Sequence, residues 1–217
     1  MGKWLIKKIK IFINEFLYLI FPPKNKCISC DIEYIGLCPL CFSKLVRVKN
    51  NEEIISYGYY SGVLKEIILE FKYKKNFLAG EIIADLIIEL IKENNINGDY
   101  ILYVPGNKKS IKKRGFDQCE FIANKISFKL DIPLLKGIKK KENIKEQKRL
   151  SKEERFFNIK DAFYIKRKNT IDTIKGKEVI LIDDVITTGA TLLEAKKILI
   201  EEKVFKINIL TVAKSYI

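Results

Sequence analysis

The stretch Val179-Ile180-Leu181-Ile182-Asp183-Asp184-Val185-Ile186-Thr187-Thr188-Gly189-Ala190-Thr191 constrains this chain more than any other. Its opening apolar run reads as a strand buried on both faces of a parallel sheet. The run meets two adjacent carboxylates, then a hydroxyl-rich turn with one glycine, then a helix beginning at Ala190. In open α/β sheets, ligands sit beyond the carboxyl ends of the strands. A helix N-terminus at that place offers free backbone N–H groups and the positive end of a dipole. Gly189 lets the backbone approach an anion closely, and Thr187, Thr188 and Thr191 add hydroxyl donors. Ionised Asp183 and Asp184 are pure acceptors, suited to the vicinal hydroxyls of a sugar. An ordinary strand–turn–helix with a threonine cap accounts for the threonines and the glycine. It does not account for two like charges side by side at a strand end.

No Gly-Lys-Ser/Thr follows, and the loop has a single glycine, so neither a Walker loop nor a dinucleotide fingerprint is present. Around this stretch the pattern alternates. Strands are expected at 54–60, 100–104, 132–135, 162–165, 178–182 and 205–213. Helices are expected at 62–73, 78–93, 116–130 and 190–202. Such alternation implies an α/β fold with a doubly wound, mostly parallel sheet. Residues 136–155 are polar and strongly basic and read as a mobile or partly helical surface segment.

A second basic stretch follows the expected strand at 100–104. Pro105-Gly106 bends the chain, and Asn107, Lys108, Lys109, Lys112, Lys113 and Arg114 come next. An anion site and a solvated basic loop both fit this composition. With 41 Lys and Arg against 27 Asp and Glu, the net charge of +14 favours polyanions in general. Codon bias toward Lys, Ile and Asn would also produce it.

The chain has no histidine. That excludes His-based triads, imidazole bases and His metal ligands. Cys27-x-x-Cys30 and Cys38-x-x-Cys41 form two knuckles, with the spacing of a closed tetrahedral sulfur site for structural zinc. Two disulfides or an iron–sulfur cluster are the alternatives. Cys119, in an expected helix, reads as a small buried hydrophobe. Residues 1–23 read as an amphipathic helix ending before Pro22-Pro23, with Trp4, Leu5, Ile9, Phe12, Phe16 and Leu19 at helical spacing. Its apolar run is too short to span a bilayer, and no small-residue cleavage site follows. The expected organisation is therefore a helix at 1–23, a four-Cys zinc module at 24–50 and an α/β domain at 51–217.

The Asp-Asp stretch resembles the phosphoribosyl pyrophosphate (PRPP) motif of type I phosphoribosyltransferases. The wider set of motifs resembles the ComF (GntX-like) family. It comprises the two knuckles, Tyr60-Ser61-Gly62, Phe71-Lys72-Tyr73, Val104-Pro105, Arg114-Gly115-Phe116-Asp117-Gln118, Gln147, Leu150-Ser151, Arg155, Asn158 and Ala162-Phe163. One departure is Asp117, where the family pattern has Asn. On a phosphate its charge would weaken the contact; as a helix cap it would serve equally.

The resemblance implies that Asp183 and Asp184 hold a ribose and act as the catalytic pair if there is turnover. It implies that Thr187, Thr188, Gly189, Ala190 and Thr191 seat the 5′-phosphate. Pro105, Gly106, Asn107, Lys108 and Lys109 would bind pyrophosphate with Mg²⁺, and Arg114 would clamp phosphate. It further implies a competence protein handling single-stranded DNA with a helicase partner, cytoplasmic and at the inner face of the membrane. An active phosphoribosyltransferase of nucleotide or nucleobase salvage is the alternative, and the residues leave enzyme and binding protein both open.

Overall fold

A computed structural model describes residues 18–49, 53–141, 162–166 and 168–216. Its centre is a four-stranded parallel sheet built from β1 (Ile54–Tyr59), β2 (Tyr100–Tyr103), β5 (Glu178–Ile186) and β6 (Lys206–Lys214), in the order β1-β6-β5-β2. The apolar run of β5 divides between two cores. Ile180 and Ile182 join α2 (Gly62–Lys74), α3 (Phe77–Glu93) and α5 (Gln118–Leu130) on one face. Val179 and Leu181 join α7 (Ala190–Glu201) on the other. A strand that feeds both faces must be apolar at every position, which is why its pattern is continuous rather than alternating. The doubly wound sheet expected from the sequence is the observed fold.

Several expectations change. The basic stretch after β2 is not a loop throughout: Lys108–Arg114 is a helix, α4, between an Asn107 cap and Gly115 with φ of 88°. Residues 132–135 make only an isolated bridge to Ile101, with Ile101 N–H donating to Pro133 O at 2.9 Å and Leu135 N–H to Ile101 O at 2.9 Å. Pro133 has no N–H with which to continue a ladder. Within the basic segment, Ile138–Lys140 forms β3, antiparallel to β4 (Phe163–Ile165). Residues 142–155 of that segment, with 156–161 after it, lie outside the described residues. A further helix, α6 (Lys168–Ile174), was not expected. β5 also runs on through the acids to Ile186, where a strand stopping at 182 was expected. The helix expected at 1–23 lies outside the described residues except near its end, where residues 18–20 are helical.

The cysteine segment, with a single helical turn α1 (Pro39–Phe42), packs on the α/β core. Cys27, Cys38 and Cys41 belong to the same buried cluster as α2 and α3. Gly58 of β1 allows the close approach, since a Cβ there would stand 2.6 Å from Val46 O and 2.8 Å from Leu64 Cδ2. Arg47 fastens the joint. Its guanidinium lies 4.1 Å from the centre of the Tyr57 ring, donates to Glu89 at 2.8 Å and pairs with Glu93. Among the described residues, no helix is long and apolar enough to cross a membrane.

Candidate functional site

β5 outruns its neighbour β2. The β2 register ends at Tyr103 opposite Ile182, and the chain turns away at Pro105 after Val104 N–H bonds Ile182 O at 3.0 Å. On the other side β6 continues, with Asp183 opposite Thr211 and Val185 opposite Ala213. Asp183 and Asp184 therefore stand where the sheet is open on one side only, at the carboxyl end of a central strand. Both are half-buried.

Each acid has partners. Asp183 Oδ1 accepts from the Asp184 N–H at 2.8 Å and from the Cys119 thiol at 3.3 Å. Asp184 Oδ1 accepts from Val185 N–H at 2.6 Å, and its Oδ2 lies 2.6 Å from the Lys72 ammonium. Burial, with the Asp184 charge, pushes the Asp183 carboxyl up to about 7 against its hydrogen bonds and Lys72. Burial pulls Lys72 down, but Asp184 beside it, with Asp183 further off, holds its ammonium above the ordinary value. Cys119 is pushed well up, first by burial and then by the two acids, so it stands as a neutral donor. Its burial agrees with the reading from sequence, while its hydrogen bond to Asp183 gives it a polar role that a small buried hydrophobe does not have.

Beyond the acids, Gly189 adopts φ of 76° and caps α7 without any side-chain hydrogen bond. The first N–H groups of that helix are those an anion would satisfy. Thr187 is exposed, Thr188 and Thr191 are half-buried, and Ala190 is buried. A Cβ on Gly189 would touch Ile186 Cδ1 at 3.4 Å.

The segment after β2 is organised differently. Asn107 Oδ1 accepts from Lys109 N–H at 2.8 Å, and Gly106 N–H donates to Asp117 Oδ2 at 2.9 Å. The other Asp117 oxygen accepts from Cys119 N–H at 3.0 Å and Glu120 N–H at 3.3 Å. Asp117 is thus a helix cap and a clamp on the preceding loop. Pro105 is half-buried, and Lys108 and Lys109 are exposed. Arg114 Nη1 donates to Gln118 Oε1, and the guanidinium carbon lies 6.0 Å from the centre of the Tyr73 ring. Gln118 Nε2 is buried and has no partner.

Sequence reasoning missed Lys72 and Cys119 as neighbours of the acids. Both lie within quoted stretches or expected elements, yet only the packing of α2 and α5 against β5 brings them there.

The four module cysteines converge. Their sulfur atoms all lie within 4.8 Å of one another, with Cys30 Sγ 3.7 Å from Cys38 Sγ. Cys38 N–H points at Cys27 Sγ at 3.4 Å, and Cys41 N–H at Cys38 Sγ at 3.4 Å. Burial raises Cys27, but the N–H groups of Cys38, Cys30 and Ser29 outweigh it and bring the thiol down to about 6. Cys41 is pushed up to about 12, chiefly by burial. The five cysteines are free thiols, so the disulfide alternative is not realised. Four convergent sulfurs with N–H···S support form a site able to bind a metal ion.

The fold and the open end of β5 define an α/β protein of the phosphoribosyltransferase kind, carrying a four-cysteine module. The chain belongs to the family described as the phosphoribosyl transferase domain, which matches residues 73–215. Its relatives include Competence protein F of Haemophilus influenzae, 28% identical over 195 residues that cover 87% of this chain and 84% of the relative. Competence protein ComFC of Streptococcus pneumoniae is 29% identical over 191 residues, 81% of each. DNA utilization protein YhgH of Escherichia coli K12 is 22% identical over 183 residues, 82% of this chain and 78% of the relative. Competence and DNA-utilization proteins, rather than salvage enzymes, are thus its similar curated proteins.

Proposed function

We propose that this chain is a ComF-type competence protein that binds a PRPP-type ligand at the carboxyl end of β5 and handles single-stranded DNA during uptake. The observation that carries the ligand reading is the juxtaposition of Asp183 and Asp184 with the N-terminus of α7, where the cap residue Gly189 supplies no side-chain hydrogen bond. Vicinal ribose hydroxyls donate to the acids. The 5′-phosphate sits on the N–H groups after Gly189 and the hydroxyls of Thr187, Thr188 and Thr191. Lys108, Lys109 and Arg114 offer charge to the pyrophosphate. Magnesium, when PRPP is bound, would neutralise the pyrophosphate oxygens. Asp183 and Asp184 are the oxygen donors at hand, while Cys119 is too soft and too strongly protonated to serve a hard cation.

The chain divides into the helix at 1–23, the module at 24–50 and the phosphoribosyltransferase-like domain at 51–217. Zinc in the module staples a segment that has little core of its own. Its place is cytoplasmic, at the inner face of the membrane, alongside a helicase. The relatives' names and the charge of +14 support the DNA role.

Calorimetry with PRPP and Mg²⁺ tests the ligand reading, with Asp183→Ala and Asp184→Ala as controls. Heat from the native protein that both substitutions abolish supports it; no heat from the native protein ends it. A mobility shift with single-stranded DNA over a salt series tests the partner. Affinity indifferent to salt argues against contact along the phosphate backbone.

A further inference from the structure

We propose that the rim formed by α4 and the end of α2 is the track for single-stranded DNA, with Tyr73 as its base-stacking platform. The proposal rests on the nucleic-acid half of the function above and names its surface. α4 has no buried residue and no acidic residue. Lys109, Lys112 and Lys113 are exposed, and none of them forms an ion pair among the described residues. By contrast, Lys74, Lys125, Lys129, Lys136 and Lys196 each meet an acid. Lys109 and Lys113 stand four apart on one helix face, an arrangement that repels itself until a polyanion arrives.

The second observation is aromatic. Tyr73, at the end of α2, is 66% exposed, with the Arg114 guanidinium 6.0 Å from its ring centre. Arg114 is fixed by Gln118, and Lys72, the residue before Tyr73, reaches Asp184. The aromatic ring therefore stands beside the end of the basic helix, one residue along the chain from the lysine that pairs with Asp184. A flat ring beside a row of unpaired cations is the combination that binds single strands, where bases stack and phosphates track charge. A small anion would have no use for the ring. A bilayer would need apolar side chains, and the one large apolar residue of α4, Ile111, is half-buried and turned toward Gly106.

The test is fluorescence anisotropy of a labelled oligo-dT with the full chain across a potassium chloride series. The triple variant Lys109→Gln/Lys112→Gln/Lys113→Gln is compared with Lys175→Gln/Lys177→Gln/Lys203→Gln. The latter set lies beside the starts of β5 and β6, at the opposite pole of the sheet. The α4 variant should bind at least about tenfold more weakly, with a log–log salt slope shallower by about two. The control set should match the native protein. Tyr73→Ala should lose about tenfold with the slope unchanged, and Tyr73→Trp should restore binding. An α4 variant no weaker than the control set overturns the proposal, as does Tyr73→Ala binding like the native chain. So does an α4 variant that loses binding to phosphatidylglycerol vesicles while keeping its DNA affinity. A native protein that ignores the oligonucleotide ends both this proposal and the DNA role; a native protein that binds with all variants alike ends this proposal alone.

Discussion

The two segments that leave the sheet at its open end, after β5 and after β2, are built on opposite plans. After β5 the backbone is left unsatisfied: Gly189 caps α7 with no side chain, and the acids beside it carry the only nearby negative charge of the strand. After β2 the backbone is already closed on itself, with Gly106 N–H taken by Asp117 and Lys109 N–H by Asn107. Its charge is all in side chains. The contrast teaches that two stretches which both read as anion loops need not bind in the same way. One presents N–H groups in fixed places, suited to a single phosphate. The other presents cations on exposed lysine side chains, suited to spread charge.

The sharpest way to break this contrast is Gly189→Val. A β-branched residue at φ of 76° is strained, and its side chain would press Ile186. Moving the cap takes the N–H groups out of line, so PRPP affinity in calorimetry should fall on the order of 100-fold. Gly189→Ala should lose less, and melting curves of both separate lost binding from lost folding.

Next in size is the effect of pH. Ionised Asp183 accepts from a ribose hydroxyl far more strongly than the neutral acid, and its carboxyl titrates at about 7. PRPP affinity should therefore rise about tenfold between pH 6 and pH 8, and Asp183→Asn should flatten the curve at its weak end. Stability runs the other way. The folded value lies above the ordinary 3.8 of an aspartate, so the contribution is fully present below that value and is lost as pH rises through about 7. Asp183→Asn cannot ionise. Relative to the native protein it should be more stable at pH 8 than at pH 4, by on the order of 2 kcal/mol in chemical denaturation.

Lys72→Met should come third. It leaves Asp184 without its cation in a half-buried place, lowering stability by about 1–3 kcal/mol. It also removes a charge that holds Asp183 down, so the midpoint of the pH–affinity curve should move upward. A midpoint that does not move would show that Lys72 acts on Asp184 alone.

Much of this was legible in the sequence, and the reasons are local. The run from Val179 to Thr191 carries strand, acids, turn and helix in consecutive residues, so one reading places them all. The two knuckles are likewise local, since each is a tight turn bearing two sulfurs. Lys72 and Cys119 were not legible because they reach Asp184 and Asp183 from α2 and α5, and no periodicity reports such a meeting. α4 was missed because a helix without an apolar stripe has no period to read; its marks are Asn107 at one end and Gly115 at the other. β3 was missed because its one buried residue, Ile138, stands in a polar run whose partner strand lies beyond residues 142–161.

The smallest predicted effect decides whether the contrast between the two segments is real. Asn107→Ala removes the side chain that caps α4, at a cost of about 1 kcal/mol to that helix. If the segment after β2 offers only side-chain charge, loosening its backbone should change PRPP affinity by less than about threefold, because flexible lysines can still reach the same oxygens. If its N–H groups instead hold pyrophosphate in fixed places, the loss should approach that of Gly189→Val. Equal losses would mean that both segments seat phosphate by their backbones, and the division of labour between β5 and β2 would not stand.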